Sequence, residues 1–423
     1  MAADSGSRSG RWWRRGRARG RERGSVHTRR FELPGIHELT KEQELVRALP
    51  KEGRHLIVGG PGTGKTVMAL LRARRHERSG DDYKFLVYTH LLHRASRALA
   101  DEQIAASTWK SWFWKIYPRA VGKGVPTKEA ESGGWRREDW EAVRRAVDNL
   151  DSDPSGGDRP FLVIDEGQDM PPDFYDCLVN LGFENFFVAA DQNQQITEEH
   201  SSRSDLEASL LVETHEVIEL TLNHRNTRPI ARLARAFRTD DPASQPPRLP
   251  SPDGGSRGVA TPRLDFYDGN DNGSLHKIAR GIWENWDRDP RRLVGVIAPN
   301  NQVRQRWFDA LEAVSAKLDN ERPQPMTFHR DHRPDIPWDR GGVLVINAQA
   351  CKGLEFDTVV LADIDEHLFD AADPDRTKKL FYVMVSRARE RVFLFMKRGG
   401  YGGIEGILPK DEDVLRRGEF PSG

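Results

Sequence analysis

The turn Gly59-Gly60-Pro61-Gly62-Thr63-Gly64-Lys65-Thr66 follows directly on the apolar run Leu56-Ile57-Val58. It constrains the fold more than any other part of the chain. A strand that ends in glycines leaves backbone N–H groups pointing into one concavity, and the helix behind it adds the positive end of its dipole. Such a turn cradles phosphates, with Lys65 reaching the β- and γ-phosphates and the Thr66 hydroxyl ligating Mg²⁺. A second signature, Asp165-Glu166-Gly167-Gln168-Asp169, follows the strand-like Phe161-Leu162-Val163-Ile164. There Asp165 is expected to hold the metal and Glu166 to activate a water.

Short apolar runs at 55–58, 85–88, 161–164 and 186–190 alternate with helical stretches, the first of which opens at Thr40 as N-cap. Runs of that length suit strands buried on both faces of a parallel sheet, and their alternation with helices suits an α/β domain. A second series follows, with strands at 293–298, 343–346, 359–362 and 392–395 and helices over 301–317 and 376–389. The expected organisation is a disordered basic arm over 1–30, a first domain over 31–222, a second over 223–405 and a tail over 406–423. The first domain carries a small insertion at about 116–160, and a long Pro- and Gly-rich loop is expected over 240–275.

Charge is uneven. Residues 1–30 hold ten Arg against Asp4 and Glu22, although the 423-residue chain has net charge zero, so any basic groove elsewhere must be local. No apolar stretch approaches the roughly 20 residues that span a bilayer. The chain has two cysteines, Cys177 and Cys351, which argues against a disulfide framework and for a cytoplasmic protein with no membrane partner.

Further short motifs fall in one order: Gln43, the glycine turn, Thr108-Trp109, Asp165 to Gln168, Asp191 to Gln194, Asn223-His224-Arg225, Lys352-Gly353-Leu354-Glu355, and Tyr382 to Arg387. Over roughly residues 36–397 this series resembles the UvrD/Rep-type superfamily 1 helicases. That resemblance implies two RecA-like P-loop NTPase domains with parallel sheets and an ATP site in the cleft between them. It also implies residue roles. Gln43 would read adenine, and Gly60, Gly62, Thr63, Gly64, Lys65, Thr66, Gln168 and Glu355 would bind the nucleotide. Thr66 and Asp165 would hold Mg²⁺. Glu166 would be the base, Gln194 would sense the γ-phosphate, and Arg225 and Arg387 would stabilise the charge that develops on it. Thr89, His90, Thr108 and Trp109 would line the path of single-stranded nucleic acid, DNA ahead of RNA, with aromatic stacking holding unpaired bases.

The chain departs from the family in four places. His224 stands where an aromatic stacks on adenine, Ile196 to His200 replaces a wedge aromatic, and Gln349 replaces a histidine. The segments that carry large accessory domains in full-size relatives are short here. The implied ATPase engine is complete, whereas duplex unwinding does not follow from it. An ATP-dependent switch that recruits or remodels a partner protein is the alternative. A small-molecule phosphotransferase is disfavoured, because it leaves Asp165 to Gln168 and the two arginines without a role.

Overall fold

The computed structural model describes residues 39–88, 104, 106–129, 136–150, 159–191, 200–239, 247–250, 260–318, 324–328, 341–400 and 403–420. Two compact units divide the chain. Described residues 39–224 with 247–248 form the first, and 225–239 with 249–420 form the second.

In the first unit the chain runs α1 (Lys41–Ala48), β1 (Arg54–Gly59), α2 (Lys65–Ser79), β2 (Tyr83–Val87), β3 (Ala106–Thr108), α3 (Trp109–Val121), β4 (Thr127–Glu129), β5 (Arg136–Glu138) and α4 (Trp140–Asp148). It continues through β6 (Phe161–Ile164), α5 (Pro172–Asn180), β7 (Phe186–Ala190), α6 (Arg203–Leu210) and β8 (Ile218–Leu220). The main sheet has the order β3-β2-β6-β7-β1-β8 and is parallel throughout.

Successive strand side chains point to opposite faces, and the core follows that rule. Ile57, Phe85, Val163 and Phe187 pack with Met68, Ala69 and Ala73 of α2. Leu56, Val58, Leu162, Ile164 and Val188 pack on the other face with α3, α4, α5 and α6. The stretch expected as a small insertion is part of this core: Tyr117, Val125, Trp140, Val143 and Val147 all lie in it. β6, β7 and β1 are neighbours, with Val58 opposite Ala190 and Ile164 opposite Val188. Their carboxyl ends therefore form one edge, from which the glycine turn, Asp165 and Asp191 all emerge. Ligands of open α/β sheets bind at that edge.

The second unit holds α7 (Arg228–Ala236), β9 (Arg263–Tyr267), α8 (Asn272–Trp286), β10 (Leu293–Ala298), α9 (Asn301–Leu318), β11 (Met326–Thr327), β12 (Gly342–Asn347), β13 (Phe356–Leu361), α10 (Pro374–Ser386), β14 (Ala388–Lys397) and β15 (Arg416–Glu419). Its sheet, β11-β12-β10-β13-β14-β9-β15, is also parallel. α8 and α9 bury Trp283, Trp286 and Trp307 on one face.

Three expectations need correction here. The stretch 240–275 is not all loop, because Arg263–Tyr267 pairs with β14. Residues 406–423 are not a free tail, because Arg416–Glu419 adds a strand to β9. The boundary also lies later than residue 222. Residues 223–224 belong to the first unit, and Pro247-Arg248 returns to it, with Arg248 N–H donating to the Thr221 carbonyl at 2.6 Å.

Candidate functional site

The glycine turn is shaped by what surrounds it. Gly64 adopts φ +93°, and a Cβ there would lie 2.5 Å from Gln43 Nε2. At Gly60 a Cβ would lie 2.1 Å from Pro247 Cγ. Both positions therefore need the smallest residue. Gln43 sits on α1 as half of a capping box: its Oε1 accepts from Thr40 N–H at 3.1 Å, and its Nε2 donates to the Thr63 carbonyl at 3.1 Å. The side chain expected to read a base thus holds the turn and keeps one N–H and one lone pair for further contacts. Thr63 Oγ1 donates to the Gly60 carbonyl at 2.9 Å. From the far side, the N–H of His224 donates to the Gly62 carbonyl at 2.8 Å.

Lys65 is buried and folded back onto its own loop. Its Nζ donates to the carbonyls of Gly59 at 2.8 Å and Gly60 at 2.9 Å, and to Asp191 Oδ2 at 3.2 Å. All three ammonium protons therefore point at acceptors that a phosphate oxygen could replace.

Asp165 stands at the end of β6 with Thr66 and Lys65 close by. Neither of its carboxylate oxygens meets hydrogen-bond geometry with any group. Burial raises its pKa well above the ordinary carboxylate range, and the Glu166 charge adds to the rise. The Thr66 hydroxyl and the Lys65 ammonium pull the other way. A buried carboxylate without partners is costly, and a divalent cation shared with the Thr66 hydroxyl would supply what it lacks. Asp165 and Thr66 therefore fit the Mg²⁺ role chemically.

Glu166 adopts φ +55°, a left-handed conformation that costs a residue with a Cβ of order 1 kcal/mol or more and that clusters at functional sites. Its Oε2 accepts from Gln168 Nε2 at 2.8 Å, and Gln168 Oε1 accepts from the Asp191 N–H at 2.8 Å. Gln168, expected to touch the nucleotide, is fully buried with both ends of its amide engaged by protein. It positions Glu166. Glu166, Gln168, Asp191 and Lys65 thus form one buried hydrogen-bonded chain. Sequence reasoning missed Asp191 as a member; its place directly after a strand, like Asp165, was the available signal.

In the second unit, Arg225 pairs through Nη2 with Glu355 Oε1. Burial raises the Glu355 pKa, but the guanidiniums of Arg225, Arg389 and Arg387 outweigh it and hold the carboxyl below its usual value. Arg387 is buried at the end of α10, with Nε donating to the Val383 carbonyl at 3.1 Å. Asn226 Nδ2 donates to the Ser386 carbonyl at 3.1 Å and to that of Ala388. This stitches the Arg225 segment to the α10–β14 junction that carries Arg387. The structure therefore brings Arg225, Glu355 and Arg387 together, and it adds Arg389 and Asn226, which the motifs had not singled out.

The residues expected to touch nucleic acid fare differently. Thr89 and His90, like Gln194, lie outside the described residues. Thr108 is the N-cap of α3, its Oγ1 accepting from the Ser111 N–H at 3.3 Å. Trp109 is not a base contact. It is 1% exposed, stacked on Trp140 at 6.3 Å between ring centres and edge-on to Phe174 at 5.1 Å.

The model of the UvrD-like helicase C-terminal domain matches residues 342–395, from β12 into β14. No curated protein matches the chain. Among solved structures, the C-terminal domain of a possible DNA helicase from Lactobacillus plantarum WCFS1 is 16% identical, over 46% of this chain and 97% of that one, at TM-score 0.30. The DEAD-box helicase Mss116, solved with single-stranded RNA and UDP-BeF, is 13% identical, over 91% of this chain and 75% of that one, at TM-score 0.48. The matched segment contains Lys352-Gly353-Leu354-Glu355 and Tyr382 to Arg387, and the rest of the motif series stands ahead of it in order. Residues 342–395 are thus similar to the UvrD-like helicase C-terminal domain.

Proposed function

We propose that this protein is a Mg²⁺-ATP-driven translocase or helicase acting on single-stranded nucleic acid, DNA ahead of RNA, in the cytoplasm. One observation carries the reading: the buried Asp165 carboxylate, whose oxygens make no well-formed hydrogen bond and have the Thr66 hydroxyl and Lys65 ammonium beside them, stands next to the buried chain Lys65–Asp191–Gln168–Glu166. A structural role for Asp165 would have given its oxygens partners; a ligand role leaves them open.

Each side chain then has a task. Lys65 exchanges the Gly59 and Gly60 carbonyls for phosphate oxygens. Thr66 and Asp165 hold Mg²⁺, which neutralises phosphate charge when bound. Glu166, turned by its left-handed backbone and fixed at Oε2 by Gln168, orients the attacking water and accepts its proton. Arg225 and Arg387 neutralise charge on the transferring phosphoryl group, a function worth about 10³–10⁵ in rate in such enzymes.

ATP turnover of the full chain, measured alone and with single-stranded DNA or RNA, tests the proposal. Stimulation by a strand is expected, with near-complete loss of turnover in Lys65→Ala. Turnover indifferent to any strand, together with recovery of a stable partner protein, would replace the motor by the switch reading.

A further inference from the structure

The helix α3 carries Trp109, Trp112, Phe113 and Trp114 within six residues, and the first three are buried. Trp114 is 46% exposed, yet its ring is held. Its Nε1 donates to Oε1 of Glu138 at 3.0 Å, and the other oxygen of that carboxylate accepts from Lys110 Nζ at 2.9 Å. Glu138, at the end of β5, is 3% exposed. Burying a carboxylate is costly unless it is paired and hydrogen-bonded. This one fixes an exposed indole and an exposed ammonium relative to each other. Burial acts to raise its pKa, but the Lys110 and Trp114 bonds outweigh it, so the carboxylate stays charged at neutral pH.

Apart from the buried Glu138 carboxylate, the sequence around Trp114 is cationic. From Lys110 to Lys128 there are five cations and no carboxylate, in a chain whose net charge is zero. At about 100° per helical residue, Lys110, Trp114, Lys115 and Arg119 share one half of the α3 circumference, and all four are exposed. A rigid aromatic face flanked by cations matches an unpaired strand, whose bases stack and whose phosphates attract the cations. A duplex or an acidic protein would use the cations and leave the indole without a task.

We propose that this face of α3 binds single-stranded nucleic acid, with a base stacked on Trp114 and phosphates on Lys110, Lys115 and Arg119. The proposal rests on the reading of the chain as a nucleic-acid motor and assigns that motor a strand-binding face. The test is fluorescence anisotropy of the full chain with labelled oligothymidylate and oligouridylate of about twenty nucleotides, without ATP and across a salt series. Trp114→Ala should weaken binding roughly 5- to 150-fold, the effect of losing one stacked base, and Trp114→Phe should restore most of it. The double variant Lys115→Glu/Arg119→Glu should flatten the salt dependence by about 0.7 in log–log slope for each phosphate no longer neutralised.

Binding by Trp114→Ala within about twofold of wild type would overturn the proposal, as would equal competition by polyglutamate or by duplex DNA. Wild-type ATP turnover, measured separately, judges the motor. Strand-stimulated turnover with binding indifferent to Trp114 sinks the surface alone. Trp114-dependent binding without any turnover sinks the motor alone.

Discussion

Replacing Asp165 by Asn should raise the thermal stability of the ligand-free protein and abolish its response to Mg²⁺ and nucleotide. The carboxylate is 1% exposed, and neither oxygen has a hydrogen-bond partner. An uncompensated buried charge costs several kcal/mol, reduced here by the nearby Lys65 ammonium and Thr66 hydroxyl. A buried amide without full partners costs about 1–3 kcal/mol in turn, so the net gain from Asp165→Asn is about 1–3 kcal/mol. In a unit of this size each kcal/mol moves Tm by about 2–4 °C, giving a rise of roughly 3–10 °C. The raised pKa fixes the pH dependence. The wild type carries its full penalty when the carboxyl is ionised and loses it as protons bind, so the advantage of the variant shrinks as pH falls. At a Mg²⁺–ADP concentration near 100 Kd the wild type should gain about 2.7 kcal/mol and the variant little, which reverses or closes the gap. Thermal melts of the two proteins with and without Mg²⁺–ADP read all of this. An Asp165→Asn variant less stable than wild type in the absence of ligand would show that the carboxylate supports the fold, and its metal-holding role would fall.

Trp109→Ala should destabilise the protein by about 3–5 kcal/mol, as removal of a fully packed indole does, and chemical denaturation would reveal it; a loss under about 1 kcal/mol would return Trp109 to the candidate base contacts. His367 predicts acid lability, because burial lowers its pKa to about 4. The unfolded chain takes up this proton below about pH 6.5 and the folded one only near 4, so stability falls across that window by about 3 kcal/mol. His367→Phe, seated against the Phe381 ring, should remove that part of the wild-type pH dependence of denaturation, and an unchanged profile would refute the assignment.

The parts of this molecule legible in sequence are those written in local chemistry. Phe161–Ile164 and Phe186–Ala190 are strands at the residues expected, because apolar runs that short and that uniform suit a strand buried on both faces. Thr40 caps α1 as expected, with Gln43 closing the capping box. Two of the strands that escaped notice are mostly polar. Arg263–Tyr267 alternates charged and apolar residues, and Arg416–Glu419 has no apolar residue at all. Each joins the sheet through pairing with β14 or β9, which no local pattern records. At the site, residue types revealed the glycine turn and the acidic pair, but not the division of labour within them. Nothing in the spacing says that Gln168 faces Glu166 and Asp191, or that Lys65 folds onto Asp191. The four aromatics of α3 show the same limit from the other side. Their periodicity marks a helix with an apolar face, and only the packing of Trp140 and Phe174 decides which ring remains outside.

The buried chain from Lys65 to Glu166 also bears on how binding would connect to chemistry. Lys65 cannot donate to a phosphate with its present three hydrogen bonds intact, so nucleotide arrival must weaken at least one of them. If the bond to Asp191 is the one released, the Asp191 carboxylate loses its Lys65 contact while its N–H still donates to Gln168 Oε1. Gln168 has no exposed surface on which to reorient, and its other end grips Glu166. A shift of Asp191 of a few tenths of an ångström would then reach the Glu166 carboxylate through two hydrogen bonds. Close-packed interiors transmit such displacements rather than absorb them. On this reasoning the proposed base would be set by occupancy of the glycine turn, and a water would be polarised only when a phosphate is present to be attacked.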